Sequence, residues 1–548
     1  MQKYYITTPI YFPSANLHIG HTYCTVMADA MARFKRLVGY DVMFLTGTDE
    51  HGQKMQRTAE AAGYEPQAYV DMIVAGIREL WATMEISYDD FIRTTEERHK
   101  ARVQEIFMRI YEAGDIYKGT YEGWYCSPCE SYWTDKQLEG GNCPDCGRPV
   151  ERMGEDGYFF RLSNYADKLL GLYETQPSFL EPETRRNEMI QFIKQGLEDL
   201  NISRSSFDWG IKVPIEEGQV IYVWLDALTN YLTALGFPLI DGGVAGDAAD
   251  AGLAKYEKYW PADVHLVGKE IVRFHSIIWP AMLMSAGLPL PKQVRGHGWL
   301  LLGGDKISKS KAAEAKDMKN VIDPVVLIGR YGVDALKYFL LREYTFGQDG
   351  LYTNEVMLNR INGDLANDLG NLLSRTCGMA EKYFDGHIGK PEPTACAAWT
   401  EGSEDMDRAL AELAQGIAGK VETHMESFGF SHALEEIWSL VGASNKYIDE
   451  TAPWILAKDE GQRGRLEAVL YNLCESLRMI SVLIQPFMHH SAEEIRSQLG
   501  IREGGGVLWD DAKGFGKEAS YSVVKGEALF PRIDVKAELE TLAELAVN

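Results

Sequence analysis

The sequence predicts an α/β catalytic domain built on a parallel sheet, interrupted by a cysteine-rich insertion and followed by an all-α bundle. Three observations carry this reading. Strand-like and helix-like segments alternate from the N-terminus. Two Cys-x-x-Cys pairs stand in a Gly- and aromatic-rich stretch. Beyond residue 355, apolar residues recur only at helical spacing.

Lys3 to Ile10 is β-branched and aromatic and ends at a Pro/Ser/Asn turn. Thr22 to Leu37 follows with Val26, Ala30, Phe34 and Leu37 at helical spacing, and Asp41 to Thr46 is a second apolar strand. Strand, helix, strand in that order implies parallel pairing. Residues 1–113 therefore form the first half of the α/β domain and 114–221 the insertion. Val264, Leu266 and Val267 open another strand pattern that reaches Val294, so 222–296 form the second half. Residues 297–354 carry a lysine-rich loop. The stripes Leu358, Ile361, Leu365, Leu369, Leu373, then Met406, Leu410, Leu413, Ile417, Val421, then Leu466, Leu470, Leu473, Leu477 make 355–500 a bundle. The last stretch, 501–548, opens with Gly504-Gly505-Gly506 and reads as a less regular tail.

The 548 residues are 45% hydrophobic and 25% charged, which excludes disordered, collagenous and small disulfide-stapled proteins. With 55 basic against 80 acidic residues the net charge is −25. A sequence-blind binder of polyanions is thereby excluded, and any nucleic acid must be met by local basic or stacking groups. No basic segment leads into an apolar one at the N-terminus, and the apolar stretch around Ile277 to Leu290 is too short and too broken by Gly and Pro to span a membrane. Eight cysteines, four of them in two Cys-x-x-Cys pairs, point to metal before disulfide. A cytoplasmic enzyme is expected.

No P-loop and no Gly-x-Gly-x-x-Gly follows the first strand. His18-Ile19-Gly20-His21 stands there instead, at the start of a helix. Two imidazoles beside the unsatisfied N–H groups and positive dipole end suit phosphate oxygens, and Gly20 leaves room for a flat base. The plain alternative is a pair of capping histidines. Gly303-Gly304-Asp305-Lys306-Ile307-Ser308-Lys309-Ser310-Lys311 is a second element: lysines on a glycine-hinged loop that could close on a triphosphate. By itself such a run is an ordinary solvated loop.

Together, His18 to His21 and Lys306 to Ser310 resemble a class I aminoacyl-tRNA synthetase. Thr7 to Tyr11, Phe44-Leu-Thr-Gly-Thr-Asp-Glu-His-Gly52, Tyr222-Val-Trp-Leu-Asp-Ala227, Gly268 to Ile271 and Ala452-Pro-Trp454 narrow the resemblance to the bacterial methionyl-tRNA synthetase family, over nearly the whole chain. The resemblance implies a Rossmann-like catalytic domain, a region at 297–354 that meets the tRNA stem, and an anticodon-binding bundle. It implies a methionine pocket of Ile10, Tyr11, Trp224, Ala227, Leu228, Tyr231, Ile271 and His275, with Asp49 at the amino group. A polarizable thioether packs well among aromatic edges, although Trp224 and Tyr231, at i and i+7, would otherwise read as core. ATP is expected on His18, Gly20, His21, Lys269, Glu270, His297 and Lys309. His18, His21, Lys306 and Lys309 are the expected catalytic groups, with Mg2+ on the phosphates. Ile307 replaces the Met, and Glu270 the Asp, found in other members. The implied partners are ATP, L-methionine and initiator and elongator tRNA(Met), with no membrane and the chain a monomer.

Cys126-x-x-Cys129 and Cys143-x-x-Cys146, separated by 13 residues, suit one structural Zn2+ in a closed tetrahedral site; a redox dithiol is the alternative. The family pattern also points to Asn371, Arg375 and Trp454 as anticodon-reading groups. Asn371 and Arg375 share a helix face, and an exposed Trp can stack a base. Arg375 as a surface ion pair and Trp454 as a packed helix end are the alternatives. Synthetases for leucine, isoleucine or valine would need a larger insertion, and a non-catalytic tRNA-binding relative would not need His18, His21 and Lys309.

Overall fold

The structure is a computed structural model that describes all residues except 14–15, 128–130, 134, 136, 145, 240–246, 303–304, 307–320, 392–402, 502–506 and 548. In chain order the strands up to residue 297 are β1 (Lys3–Thr7), β2 (Asp41–Thr48), β3 (Asp90–Arg93), β4 (Ile116–Cys126), β5 (Ser131–Trp133), β6 (Glu151–Phe160), β7 (Leu180–Glu181), β8 (Leu200–Asn201), β9 (Ser203–Arg204), β10 (Val220–Ile221), β11 (Val264–Gly268) and β12 (Val294–His297).

Six of them form one sheet in the order β3-β2-β1-β11-β12-β7, and every neighbouring pair is parallel. Ile6 pairs with Phe44 on one side and Val264 on the other. Helix Ile19–Val38 leads from β1 towards β2, while β11 leads the opposite way to β12. The strand order thus reverses between β1 and β11, and a crevice opens beyond their carboxyl ends.

The strands read as unbroken apolar runs because both sheet faces are buried. Tyr4, Ile6, Phe44 and Leu266 enter one core, and Tyr5, Met43, Leu45 and Val267 enter the other. The second core lies under helices Val223–Thr233 and Trp279–Ser285. The first continues through helices Ile19–Val38 and Val333–Glu343 into the helical bundle, without a break between the domains.

The segment between β3 and β10 builds an antiparallel sheet, β5-β4-β6-β8, but it also returns β7 to the edge of the parallel sheet, with Leu180 paired to Val294. Two residues are too few for a periodicity to announce a strand. The C-terminal stretch is more regular than its opening glycines suggest. Ser520–Ser522 pairs with His387–Gly389, and Trp509 packs edge-on against Phe34 at 5.0 Å, with 1% of its surface exposed. Val535–Val547 is a helix whose Val535, Leu539, Leu542 and Ala546 face the core. That spacing was present in the sequence.

Gly47 closes β2 where the sheet is tightest. A Cβ there would stand 2.1 Å from the Ile92 carbonyl oxygen, while the Gly47 carbonyl accepts the Tyr11 N–H at 2.8 Å. Gly47→Ala is expected to destabilise the fold by about 1–3 kcal/mol. Urea unfolding followed by tryptophan fluorescence checks this; an unchanged midpoint would contradict it.

Candidate active site

At the carboxyl end of β1 the chain turns into helix Ile19–Val38 through His18, its N-cap. The two imidazoles form a capping box. Gly20 N donates to His18 Nδ1 at 3.1 Å, and His18 N donates to His21 Nδ1 at 3.2 Å, with the rings 4.0 Å apart. The capping alternative is thus realised, and it fixes chemistry. With each Nδ1 an acceptor, the neutral rings carry their protons on Nε2 and present N–H donors. A Cβ on Gly20 would meet the His18 ring at 3.0 Å, so glycine leaves room for the ring itself.

The expected pocket residues converge on the opposite side of the crevice. Helix Val223–Thr233 is buried along its length except at Trp224, which is half-buried. Trp224 stacks on Phe274 at 3.6 Å and 8° and meets His275 edge-on at 6.5 Å. His275 lies in a π-helical turn, Phe274–Ile278, the kind of widened turn that re-aims a side chain. Its Nδ1 donates to the Ile271 carbonyl at 2.9 Å, so Nε2 is the acceptor for the Tyr231 hydroxyl at 2.7 Å. Burial pushes the His275 imidazole down to about 4, against a smaller upward pull from the Ile271 carbonyl. His265, against Tyr231 at 4.1 Å, is also held well below its ordinary value by burial, and next by His275. Ile10 and Ile271 pack on the same core as Ala227's neighbour Leu228. The slot is lined by uncharged groups.

Tyr11 stands on the helix side, its ring edge-on to His21 at 5.8 Å and its hydroxyl 2.6 Å from Thr25 Oγ1, and its carbonyl accepts the Asp49 N–H at 3.0 Å. The residues after Asp49 are clamped on both sides. Glu50, fully buried, accepts from Arg93 Nε and Nη2 at 2.8 and 2.9 Å and from Thr48 and Thr95 at 2.6 Å. His51 Nδ1 donates to Asp226 at 2.6 Å, and His99 Nε2 donates to the other oxygen of Asp226 at 2.7 Å. Burial pushes the Asp226 carboxyl up, but the two histidines outweigh it and hold it below the ordinary range. Sequence reasoning assigned no role to Phe274, His265, Glu50, His51, His99 or Asp226. The acid inside the apolar helix Val223–Thr233 was the available signal.

At the ends of β11 and β12, Lys269 Nζ pairs with Asp349 at 2.6 Å and lies 3.9 Å over the Trp299 ring, and Trp299 Nε1 donates to Glu270 at 2.7 Å. Glu270 folds over Gly268, where a Cβ would meet its carboxylate at 2.4 Å. His297 Nδ1 donates to the Gly298 carbonyl at 2.7 Å. Lys306 sits in strand Asp305–Lys306, backbone-paired with Leu301. Lys309 lies outside the described residues.

The knuckle cysteines meet as spaced. One sulfur each from Cys126, Cys143 and Cys146 lies within 4.8 Å of the others, and Cys126 and Cys146 are 3.5 Å apart, well beyond a disulfide bond of about 2.05 Å. Cys129 lies outside the described residues. On the bundle, Arg375 pairs with Asp449 at 2.7 Å and stands 5.9 Å over the ring of Trp454, which is 42% exposed. Asn371 is exposed one turn before Arg375. Surface ion pair and stacking face coexist there.

The family profile described as tRNA synthetases class I (M) matches residues 4–155 and 148–377, and the one described as anticodon-binding domain of tRNA ligase matches 407–543. The methionine–tRNA ligase of Caldanaerobacter subterraneus is 62% identical over 542 residues, 99% of this chain and 80% of that one. The chain belongs to the class I methionyl-tRNA synthetases. The Bacillus subtilis member is 52% identical over 98% of this chain and 79% of its own length. The Mycobacterium tuberculosis methionyl-tRNA synthetase in complex with methionyl-adenylate superposes with a TM-score of 0.88 at 42% identity, covering 97% of this chain and 100% of that one. Trp454 falls within the anticodon-binding match, whereas Asn371 and Arg375 come from the end of the catalytic one. The exposed face is thus assembled from both.

Between pH 6.5 and about 4, unfolded chain binds a proton at position 275 that folded chain refuses. Stability therefore falls as pH drops through that window and is unaffected by this group above it. By pH 5 the loss is about 2 kcal/mol. His275→Gln should flatten that part of the profile in thermal melts between pH 7.5 and 5, and equal slopes in both proteins would refute it.

Proposed function

We propose that the chain joins methionine to tRNA(Met) in two steps. The methionine carboxylate attacks the ATP α-phosphorus in line, the bond to the β-phosphate oxygen breaks, and pyrophosphate leaves methionyl-adenylate. The 3′-terminal ribose hydroxyl of the tRNA then attacks the methionyl carbonyl and releases AMP. The observation that carries this reading is the meeting, at one sheet edge, of a neutral aromatic slot and a helix N-terminus capped by two imidazoles.

On this reading, the slot takes the thioether between Trp224, Tyr231 and His275, with Ile10, Tyr11, Ala227, Leu228 and Ile271 closing it and Asp49 facing the ammonium. The Nε2–H groups of His18 and His21 donate to phosphate oxygens as charge builds there. Glu270 accepts from the ribose hydroxyls, Gly20 and His297 border the base, and Lys269, Lys306 and Lys309 meet phosphate charge. ATP brings its own magnesium ion. Asn371, Arg375 and Trp454 meet the anticodon. Zinc, when bound by Cys126, Cys129, Cys143 and Cys146, supplies a closed cross-link that orders the insertion. A cytoplasmic setting is part of this reading; among the described residues no helix is long and apolar enough to cross a membrane.

ATP–pyrophosphate exchange should be driven by methionine alone among the amino acids and should be largely lost in Lys309→Ala. Exchange with a different amino acid would overturn the pocket assignment. Trp454→Ala should leave that exchange intact and slow charging of tRNA(Met) about tenfold or more, the worth of one stacked base; equal loss in both assays would refute an anticodon role. Chelation should speed proteolysis within residues 116–160 before it unfolds the sheet, and unchanged cleavage would count against zinc.

A further inference from the structure

Far from the crevice, the end of helix Pro66–Thr83 meets the helical domain at a cluster that the reaction does not use. Glu85 follows the helix with φ of 52°, in the left-handed position where glycine is the usual residue. Its side chain crosses to the start of helix His489–Gln498. His490 Nε2 stands 2.6 Å from one carboxylate oxygen, and His489 Nε2 contacts the other. The two rings are 4.1 Å apart, and one donor atom from each of the three residues lies within 4.8 Å of the other two.

The His489 ring leaves a question that hydrogen bonds among the described residues do not answer. Its Nδ1 is buried without a partner. A neutral imidazole has one proton. On Nε2, that proton binds Glu85 and strands Nδ1 as a buried acceptor. On Nδ1, the Nε2 lone pair faces a carboxylate oxygen, a repulsion that a cation shared by the two groups would relieve. Asp334 adds negative charge next to the cluster. Its Oδ2 accepts from Ser491 N and Oγ at 2.7 Å, while its Oδ1 is buried without a partner. Only 5% of Asp334 is exposed, and its charge acts on His489. Together with His490, Glu493 and Glu494 it lines a cavity of about 480 Å³ beside the cluster. The neighbouring cations, Arg33 and Lys337, each bond Asp29 Oδ2 at 2.9 Å, so their charge is met.

We propose that Glu85, His489 and His490 bind a divalent transition-metal ion of the zinc class, pinning the catalytic domain to the helical domain. Two imidazoles and one carboxylate suit Zn2+, Co2+ or Ni2+, whereas Mg2+ and Ca2+ require mainly oxygen donors. Asp334 adds buried negative charge beside the two imidazoles, which favours a cation there. His490 is half-exposed, so an ion can arrive from solvent. The cysteine knuckle is a separate site on the insertion.

The test is calorimetric titration of the full chain with Zn2+, after its cysteine site has been filled and verified by elemental analysis. One further equivalent should bind and raise the melting temperature, while Mg2+ does neither. Glu85→Gln and His490→Ala should each weaken the second equivalent at least tenfold and abolish the zinc-dependent melting shift. Both side chains are partly exposed, and circular dichroism confirms that each variant is folded. Absence of a second equivalent in the unmodified chain, or its retention in either variant, overturns the proposal.

Discussion

The double parallel pairing of β1 governs the molecule. Because β1 bonds β2 on one side and β11 on the other, the chain must leave its carboxyl end without a strand to cross over it. Many of the groups discussed at the site are delivered to that gap by the end of a strand or the first turn of a helix, while Leu228 and Tyr231 come from further along helix Val223–Thr233. His18 and Tyr11 come from the end of β1, Asp49 from β2, Glu270 and His275 from the segment after β11, and His297 from β12. The parallel ladder sets the spacing of the strand ends that carry them.

That rigid edge carries a segment with strong local demands. Asp49 is followed by two buried residues, and each is fixed through charge: Glu50 by Arg93, and His51 by an Asp226 that also holds His99. Removing one partner of such a buried set costs about 3–5 kcal/mol, because the remaining charge is stranded. The network thus ties β2 to helices Glu97–Glu112 and Val223–Thr233, which bear His99 and Trp224. Slot and carboxylate are positioned by the same contacts.

Legibility in the sequence followed the length of the signal. β1, helix Ile19–Val38 and the bundle stripes repeat their pattern over several turns or residues, and they appear where the periodicity puts them. β7 is two residues long and carries no pattern, so its return to the parallel sheet could not be read. The glycines at 504–506 drew attention from a helical spacing at Val535, Leu539 and Leu542 that was present all along. At the site, the paired histidines and the Cys-x-x-Cys spacing are local and were legible. The Asp226 network joins residues 127 and 175 positions apart, and only the fold brings those together.

Electrostatics divides the crevice in two. On the slot side, His275 and His265 are kept neutral by burial, and Tyr231 spends its proton on His275. On the other side stand a helix N-terminus and Lys269. A substrate with an apolar, polarizable side chain and a reacting carboxylate fits that division, because its side chain loses no water-bound charge on entering the slot while its carboxylate stays on the polar side. The same apolar character limits discrimination. A slot that recognises shape without hydrogen bonds separates ligands one methylene apart by only about 1–3 kcal/mol, so homocysteine, which lacks the S-methyl group of methionine, is expected to be rejected by no more than that. Trp224 lies flat on Phe274 at 3.6 Å, the tightest aromatic contact of the site, so the wall it presents is a fixed ring face and not a gap between two rings.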